Sequence, residues 1–465
     1  MHGNFTVACT RRQVLAFLAA SAAGAAIPFR GAALARADVM LFAAPGWAPL
    51  GAGPQGASAV WCYNGVVPGP VIRARQGERV RVAFANGLPQ ETTIHWHGLR
   101  VPNAMDGVPD VTQAPVAPGE RFVYEFDLPD AGTYWYHPHA HSSEQTERGL
   151  AGAFVVDEAK PPEVDRDILW VLDDWRLYAN GVLAEGFDNR MDAGMAGRIG
   201  NWITLNGRPP ANLEVQAGER LRLRLINIAN ARIFGLEFLG HRPWVVALDG
   251  QPVEPHEPSL GRVVLGPAQR TDLVLDLSGE PDTAYPVRDT FYPASVNVIA
   301  ALDYGPERRR ERSVAPPPAL PPNTQPEPDL EGAEQHIVAF GGGMMGGVGM
   351  MGGMMSGHWW TVNGIPGTHP PREALVELTL GRTCIFSLVN ETAWFHPIHL
   401  HGHVFRVVSR NGRPTRHREW RDTVLIEPRA RADVAFVADN PGDWLLHCHI
   451  PEHMASGMTA LVRVS

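Results

Sequence analysis

The sequence predicts an all-β protein built of three consecutive β-sandwich domains. The 48 glycines and 41 prolines punctuate short runs rich in Val, Leu, Phe and Thr, such as Arg79-Val80-Arg81-Val82-Ala83-Phe84. Period-two alternation broken by turn residues is the pattern of strands packed face to face. The chain has 465 residues, and at about 150 residues per domain it is expected to hold two or three. One pattern also recurs three times. Asn64-Gly65, Asn206-Gly207 and Asn363-Gly364 each precede a proline-containing segment, followed by Gly77-Glu78-Arg79, Gly218-Glu219-Arg220 and Gly381-Arg382-Thr383. Nine residues past each of those glycines stands an asparagine, Asn86, Asn227 or Asn390. Three copies of one β-domain are the simplest explanation.

In chain order, residues 1–37 read as a twin-arginine signal peptide: Arg11-Arg12, an apolar run from Val14 to Ile27, then the small-residue site Ala35-Arg36-Ala37. That run is shorter than the roughly 20 residues of a spanning helix, so an exported, periplasmic chain without a stable membrane anchor is expected. Domains are expected over 38–157, 158–303 and 336–465. Residues 304–335, with Arg308-Arg309-Arg310 and Pro316-Pro317-Pro318, read as a linker too charged and proline-rich to fold by itself. A methionine-rich insert lies at 341–357, where Met344, Met345, Met350, Met351, Met354 and Met355 are six of the chain's 13 methionines. The formal charge of −9 is modest for this length and argues against a nucleic-acid partner.

Nine residues past the marker asparagine, the first copy has His95-Trp96-His97 and the third His399-Leu400-His401, whereas the second has Leu236-Glu237-Phe238. The same contrast returns in a second register: Gly132 precedes His137-Pro138-His139 by five residues, and Gly442 precedes His447-Cys448-His449 by five. In a strand, residues i and i+2 share a face, so each His-x-His pair aims two imidazoles at one spot. A single such pair reads equally well as two solvent-facing histidines. Four pairs at equivalent positions of two domains point to metal, and imidazole suits copper, zinc, iron and nickel. The middle copy lacks them and reads as a spacer.

Cys448 is specific to the third copy, since Pro138 occupies its place in the first. A thiol between two histidines suits a disulfide, a nucleophile or a metal ligand. Export removes Cys9 and leaves Cys62, Cys384 and Cys448, an odd number in an oxidising compartment. Cys62 and Cys384 either bridge or stay as two buried thiols. His453 follows Cys448 by five residues and Met458 by ten, and His396 precedes His399 by three. Two imidazoles, a thiolate and a weak thioether make the donor set of a blue-copper electron-transfer site.

These motifs, HWHG at 95–98, HPH at 137–139, HPIHLHGH at 396–403 and HCHIPEHMASGM at 447–458, resemble those of the three-domain multicopper oxidases, the laccases and bacterial cuprous oxidases. The resemblance spans essentially the whole chain after residue 37. It implies three cupredoxin-like Greek-key domains and four copper ions. His396, Cys448, His453 and Met458 correspond to the type 1 ligands, and His95 and His399 to those of type 2. His97, His137 and His449 correspond to one type 3 copper, and His139, His401 and His447 to the other. His141 and His403 match no ligand position. Asp106, in Asn103-Ala104-Met105-Asp106-Gly107, matches the family's acid beside the cluster and is expected to relay protons and orient ligands.

The resemblance also implies the reaction: four one-electron oxidations at the type 1 site drive reduction of O2 to water at a cluster between the first and third domains. Cu(I) or phenolic compounds are the expected donors and a monomer the expected state. Two departures bear on the donor and on proton supply. Met454 stands where some cuprous oxidases have a glutamate. Thr392 and Trp394 stand where such enzymes place an aspartate and a methionine for incoming Cu(I), although the thioethers of the insert are soft donors that favour that ion. Two other readings are a copper-free exported scaffold and a nitrite-reductase-like electron carrier. The first is disfavoured by twelve filled ligand positions, the second by three repeats and paired histidines.

Overall fold

A computed structural model describes residues 36–53, 56–310, 316–344, 358–368 and 370–465. The twin-arginine segment therefore lies outside the described residues, apart from Arg36-Ala37 at the start of the first strand, as do Met345, Met350, Met351, Met354 and Met355. The architecture is nearly all β, as the alternation predicts, with six sheets in three pairs. No helix among the described residues is long and apolar enough to cross a membrane.

The recurring sequence pattern corresponds to a recurring topology. In each unit the opening strand lies parallel to the strand that follows the marker glycine: Arg36–Ala48 on Arg79–Asn86, Arg166–Trp175 on Arg220–Asn227, and Glu334–Gly342 on Thr383–Asn390. The Asn-Gly markers are the turns that bind this strand. Asn64, Asn206 and Asn363 all have left-handed φ values of 53°, 53° and 51°, a region that asparagine tolerates. Their side chains clamp the opening strand. Asn64 Oδ1 accepts from Phe42 N at 2.7 Å and its Nδ2 donates to Met40 O at 2.8 Å. Asn206 does the same at Val171 and Leu169, and Asn363 at Ala339 and Ile337.

The second marker holds the next loop. Asn86 Nδ2 donates to Gln90 O and Val116 O, Asn227 Nδ2 to Arg232 O and Leu265 O, and Asn390 Nδ2 to Trp394 O and Glu427 O. Each thereby fixes the entry to the strand nine residues on, which is where the histidines lie in the first and third units. Each unit has its own apolar core. In the middle one, Leu236 and Phe238 are buried core residues, with Phe238 stacked near Trp170. Apolar packing thus occupies the middle unit's place for the neighbours' histidines.

The linker segment is more integrated than its composition suggests. Asn297–Arg308 continues past Asp303 and pairs with Leu213–Ala217 up to Ala217 opposite Arg308. Leu320 is buried against Val246, Ala247 and Val274. Asn323 joins the first unit to the second, taking Ala131 N at 2.9 Å and donating to Gln251 Oε1 at 2.9 Å. Cys62 and Cys384 are both buried free thiols, which settles that alternative against a bridge.

Candidate metal centre

Two equivalent strand pairs build the site. In the first unit His95–His97 runs antiparallel to Gly132–His137 with His95 opposite His137. In the third, His396–Leu400 runs antiparallel to Gly442–Cys448 with His399 opposite His447. Alternation then sorts the side chains. Trp96 and Leu400 enter the cores of their own units, while the flanking histidines face the space between first and third units. At His447-Cys448-His449 the same rule sends Cys448 into the third unit's core and leaves its neighbours with the histidine cluster.

The cluster holds all eight paired histidines, each buried. Donor atoms of His139, His401 and His447 lie within 4.8 Å of one another, as do those of His95, His399 and His401. Donor atoms of His95, His97 and His137 form a further such group, and the His449 ring lies beside it with centroids 4.8 Å from His97 and 5.0 Å from His137. Nearly every ring is anchored by one nitrogen to a fixed oxygen. His95 Nδ1 donates to Asp106 O at 2.8 Å, His399 Nδ1 to Asp422 O at 2.9 Å, and His137 Nδ1 to Pro138 O at 3.0 Å. His447 Nδ1 donates to Cys448 O at 2.9 Å. Asp106 Oδ2 takes His401 Nδ1 at 2.8 Å, while its Oδ1 lies 3.2 Å from His95 Nδ1. One buried carboxylate therefore bridges an imidazole of the first unit and one of the third.

Next to this cluster, Cys448 Sγ is 3.5 Å from His396 Nδ1 and 3.6 Å from His453 Nδ1, and the two nitrogens are 3.2 Å apart. Met458 is buried in the same core. Its backbone is tied to both neighbours, its N–H donating to His453 O and its carbonyl accepting from Cys448 N. All twelve residues expected as copper ligands thus fall into these two adjoining groups.

Three models described as multicopper oxidase match residues 50–161, 166–307 and 348–465. MmcO, a multicopper oxidase of Mycobacterium tuberculosis, is 31% identical over 439 residues, covering 85% of this chain and 81% of its own. The chain belongs to the multicopper oxidase family. A multi-copper oxidase crystal structure from Pseudomonas thermotolerans superposes with a TM-score of 0.83 at 36% identity, covering 93% of this chain and 100% of that one. A laccase-like multi-copper oxidase, CueO, from Ochrobactrum sp., which has oxidase activity towards lignin model compounds, gives 0.78 at 28% identity over 92% and 97%.

The residues of this multicopper oxidase fit copper on their own chemistry. His95 Nε2, His97 Nδ1 and His399 Nε2 are buried and find no hydrogen-bond partner among the described residues. An unpaired buried acceptor costs about 1 to 3 kcal/mol, and a cation at that spot removes the cost. His401 Nε2 and His447 Nε2 face each other at 2.9 Å, although both rings have their proton on the anchored Nδ1, so two lone pairs oppose each other without a proton between them. Burial, then the neighbouring imidazoles, push His97, His139 and His399 well below the usual histidine range. Burial likewise takes His453 to about 3. These rings are neutral donors, and the Cys448 thiol, pushed up by burial, requires a cation to exist as thiolate.

Several participants escaped sequence reasoning. Asp422, fully buried, lies with its Oδ1 3.1 Å from His97 Nε2 and receives the Thr423 hydroxyl at 2.8 Å. The short helices Ser142–Glu147, Arg190–Gly194 and Pro451–Ala455 surround the site. Ser142, Thr146, Asn230 and Met454 line a cavity of about 10 Å³ against His137, His139, His447 and His449, room for about one water-sized molecule. The middle unit supplies no ligand, yet it is more than a spacer. Its segment after Arg190–Gly194 covers the outer edge of His453, whose Nε2 donates to Met195 O at 2.9 Å. Trp360 packs against His453 with the rings tilted and centroids 4.3 Å apart, and donates through Nε1 to Ala193 O at 2.6 Å. Thr392 Oγ1 is 2.7 Å from His396 Nε2, so this position braces a histidine. Met344, the one insert methionine among the described residues, donates its N–H to Gly194 O at 2.8 Å. His403 is buried with Nδ1 on His401 O at 3.2 Å, and His141 caps the helix Ser142–Glu147 in a left-handed conformation.

Proposed function

We propose that this protein couples four one-electron oxidations of a small reductant to the reduction of O2 to two waters, with four protons taken up. His396, Cys448, His453 and Met458 hold a type 1 copper. His95 and His399 hold a type 2 copper, and His97, His137 and His449 with His139, His401 and His447 hold a type 3 pair. Bound there, copper would supply one one-electron redox centre at the first site and three at the second, so that the two sites together hold the four electrons that O2 reduction needs. The observation that carries this reading is the alternation at residues 447–449: the thiol faces one donor group while the histidines on either side face the other.

The chain's own residues do the rest. Cys448 is covalently continuous with His447 and His449, so the backbone joins the two centres. Asp106 fixes the tautomers of His401 and His95 and relays protons to the cluster through its carboxylate. The cavity bordered by Asn230 and Met454 is the oxygen pocket. Cu(I) and phenolic compounds are the donors, reaching the type 1 site past Trp360 and the Met195 carbonyl. The insert's thioethers support Cu(I), and the lignin-model activity of the Ochrobactrum relative supports phenols. The protein acts as a monomer after twin-arginine export to the periplasm. Copper content and oxygen uptake test the whole reading: four coppers per chain and uptake with Cu(I) or a methoxyphenol are expected, with Mn(II) and Fe(II) run alongside. A chain that binds none, or only one or two without oxygen uptake, overturns it.

A further inference from the structure

The middle unit reaches the histidine cluster by a route that its missing histidines conceal. Arg270, at the start of the strand Arg270–Asp276, is fully buried. Its guanidinium meets Asp422 in a fork, Nη1 to Oδ1 at 2.8 Å and Nη2 to Oδ2 at 2.5 Å. Nε donates to Thr133 O at 3.1 Å and Nη1 to Ala268 O at 3.2 Å, so the fork is held in the first unit as well as its own. Asp422 then holds one histidine of each outer unit: its Oδ1 lies 3.1 Å from His97 Nε2, and its backbone oxygen accepts from His399 Nδ1 at 2.9 Å. Beside it, Gln269 Nε2 donates to Thr423 O at 2.9 Å, and the Thr423 hydroxyl lies 3.0 Å from His97 Nε2.

We infer that Arg270, assisted by Gln269, is a positioning residue of the oxygen-reducing cluster, the clamp through which the middle unit orients His97 and His399. This rests on the multicopper reading above. An independent observation supports it. A Cβ at Gly98, whose φ is +85°, would lie 2.3 Å from Arg270 Nη2 and 2.5 Å from Asp422 Oδ2, so the residue directly after His97 is one whose lack of a side chain leaves room for this fork. Both free ring nitrogens, His97 Nδ1 and His399 Nε2, are aimed by bonds made at the opposite nitrogen. Planar two-point contact with a carboxylate is a property of arginine that lysine does not reproduce.

The test compares the copper-loaded protein with Arg270→Lys, Gln269→Leu and Gly98→Ala. Asn323→Ala, which loosens a contact between first and middle units away from the cluster, serves as control. Copper per chain, the type 2 resonance signal, the type 3 absorption and the type 1 blue band are read together with kcat and the donor KM. In Arg270→Lys the blue band and donor KM are expected to stay, while type 2 and type 3 signals weaken and kcat falls about ten-fold or more. Gln269→Leu and Gly98→Ala shift the same signals if Arg270→Lys does not fold. Unchanged cluster signals with kcat within about two-fold in all folded variants overturn the inference, as does an equal loss of cluster signal in Asn323→Ala. A wild-type protein without cluster signals overturns the proposed function instead.

Discussion

At Cys448 a single side chain decides between an electron-transfer centre and an inert core. The thiol is buried, 3.5 Å from His396 Nδ1, and the other two described cysteines are free thiols in different places: Cys62 in the first unit and Cys384 in the third unit's opening sheet. Cys448→Ser keeps the shape and removes the soft donor. It is expected to abolish the blue charge-transfer band and oxidase turnover while circular dichroism still reports a β-rich fold; a serine variant that stays blue would remove Cys448 from the site. Asp106 allows a finer separation. Asp106→Asn still offers an oxygen to His401 Nδ1, so copper content is expected to hold, whereas the proton-relaying carboxylate is lost. Turnover is then expected to fall by about 100-fold or more with donor KM unchanged. An asparagine variant with wild-type kcat would reduce Asp106 to a brace.

Within the strands, what could be read from the sequence was what repeats locally. Period-two spacing put His95 and His97 on one face and Trp96 on the other, and the Asn-Gly pairs recur because each performs the same clamp on an opening strand. Asp422 and Arg270 gave no such signal: an acid beside an arginine in Trp420-Arg421-Asp422-Thr423 reads as an exposed ion pair, and their meeting depends on how separate units dock. The segment just after the short helix Arg190–Gly194 was equally hidden, since its role comes from covering His453 through Met195 O and not from its own pattern. The middle strand Phe234–Phe238 shows the other side of the repeat, with apolar residues filling the histidines' places. Leu236→Ala is expected to cost about 2 to 5 kcal/mol through the cavity it leaves, measured by denaturant unfolding of the metal-free protein. Copper stoichiometry in the folded fraction should stay as in wild type, because this strand faces its own core and the clamp at Arg270 is elsewhere; selective loss of cluster copper would contradict that separation.

Across the whole molecule the outer two units hold the donor groups, while the middle one covers the outer edge of His453 through Met195 and reaches Asp422 through Arg270. The methionine-rich insert joins this arrangement at the entrance. Gly343 N donates to Trp359 O at 2.9 Å, so the chain leaves and re-enters at one point, between the paired strands Glu334–Gly342 and Trp360–Val362. That base lies against Gly194, where Met344 packs, and beside Trp360, which contacts both His396 and His453. On the proposed use of Cu(I), thioethers carried by a segment that starts and ends there would raise the local concentration of that soft ion beside His396 and His453. Deleting residues 345–355 while retaining Met344 is therefore expected to raise the apparent KM for Cu(I) several-fold, with kcat at saturation little changed and phenol oxidation unchanged or faster. Thr392, engaged with His396, and Trp394 offer Cu(I) neither carboxylate nor thioether in its place. If the deletion leaves Cu(I) kinetics untouched, the insert is a connector, and the covered His453 edge then points to organic donors that pass their electron through Trp360 or the Met195 carbonyl.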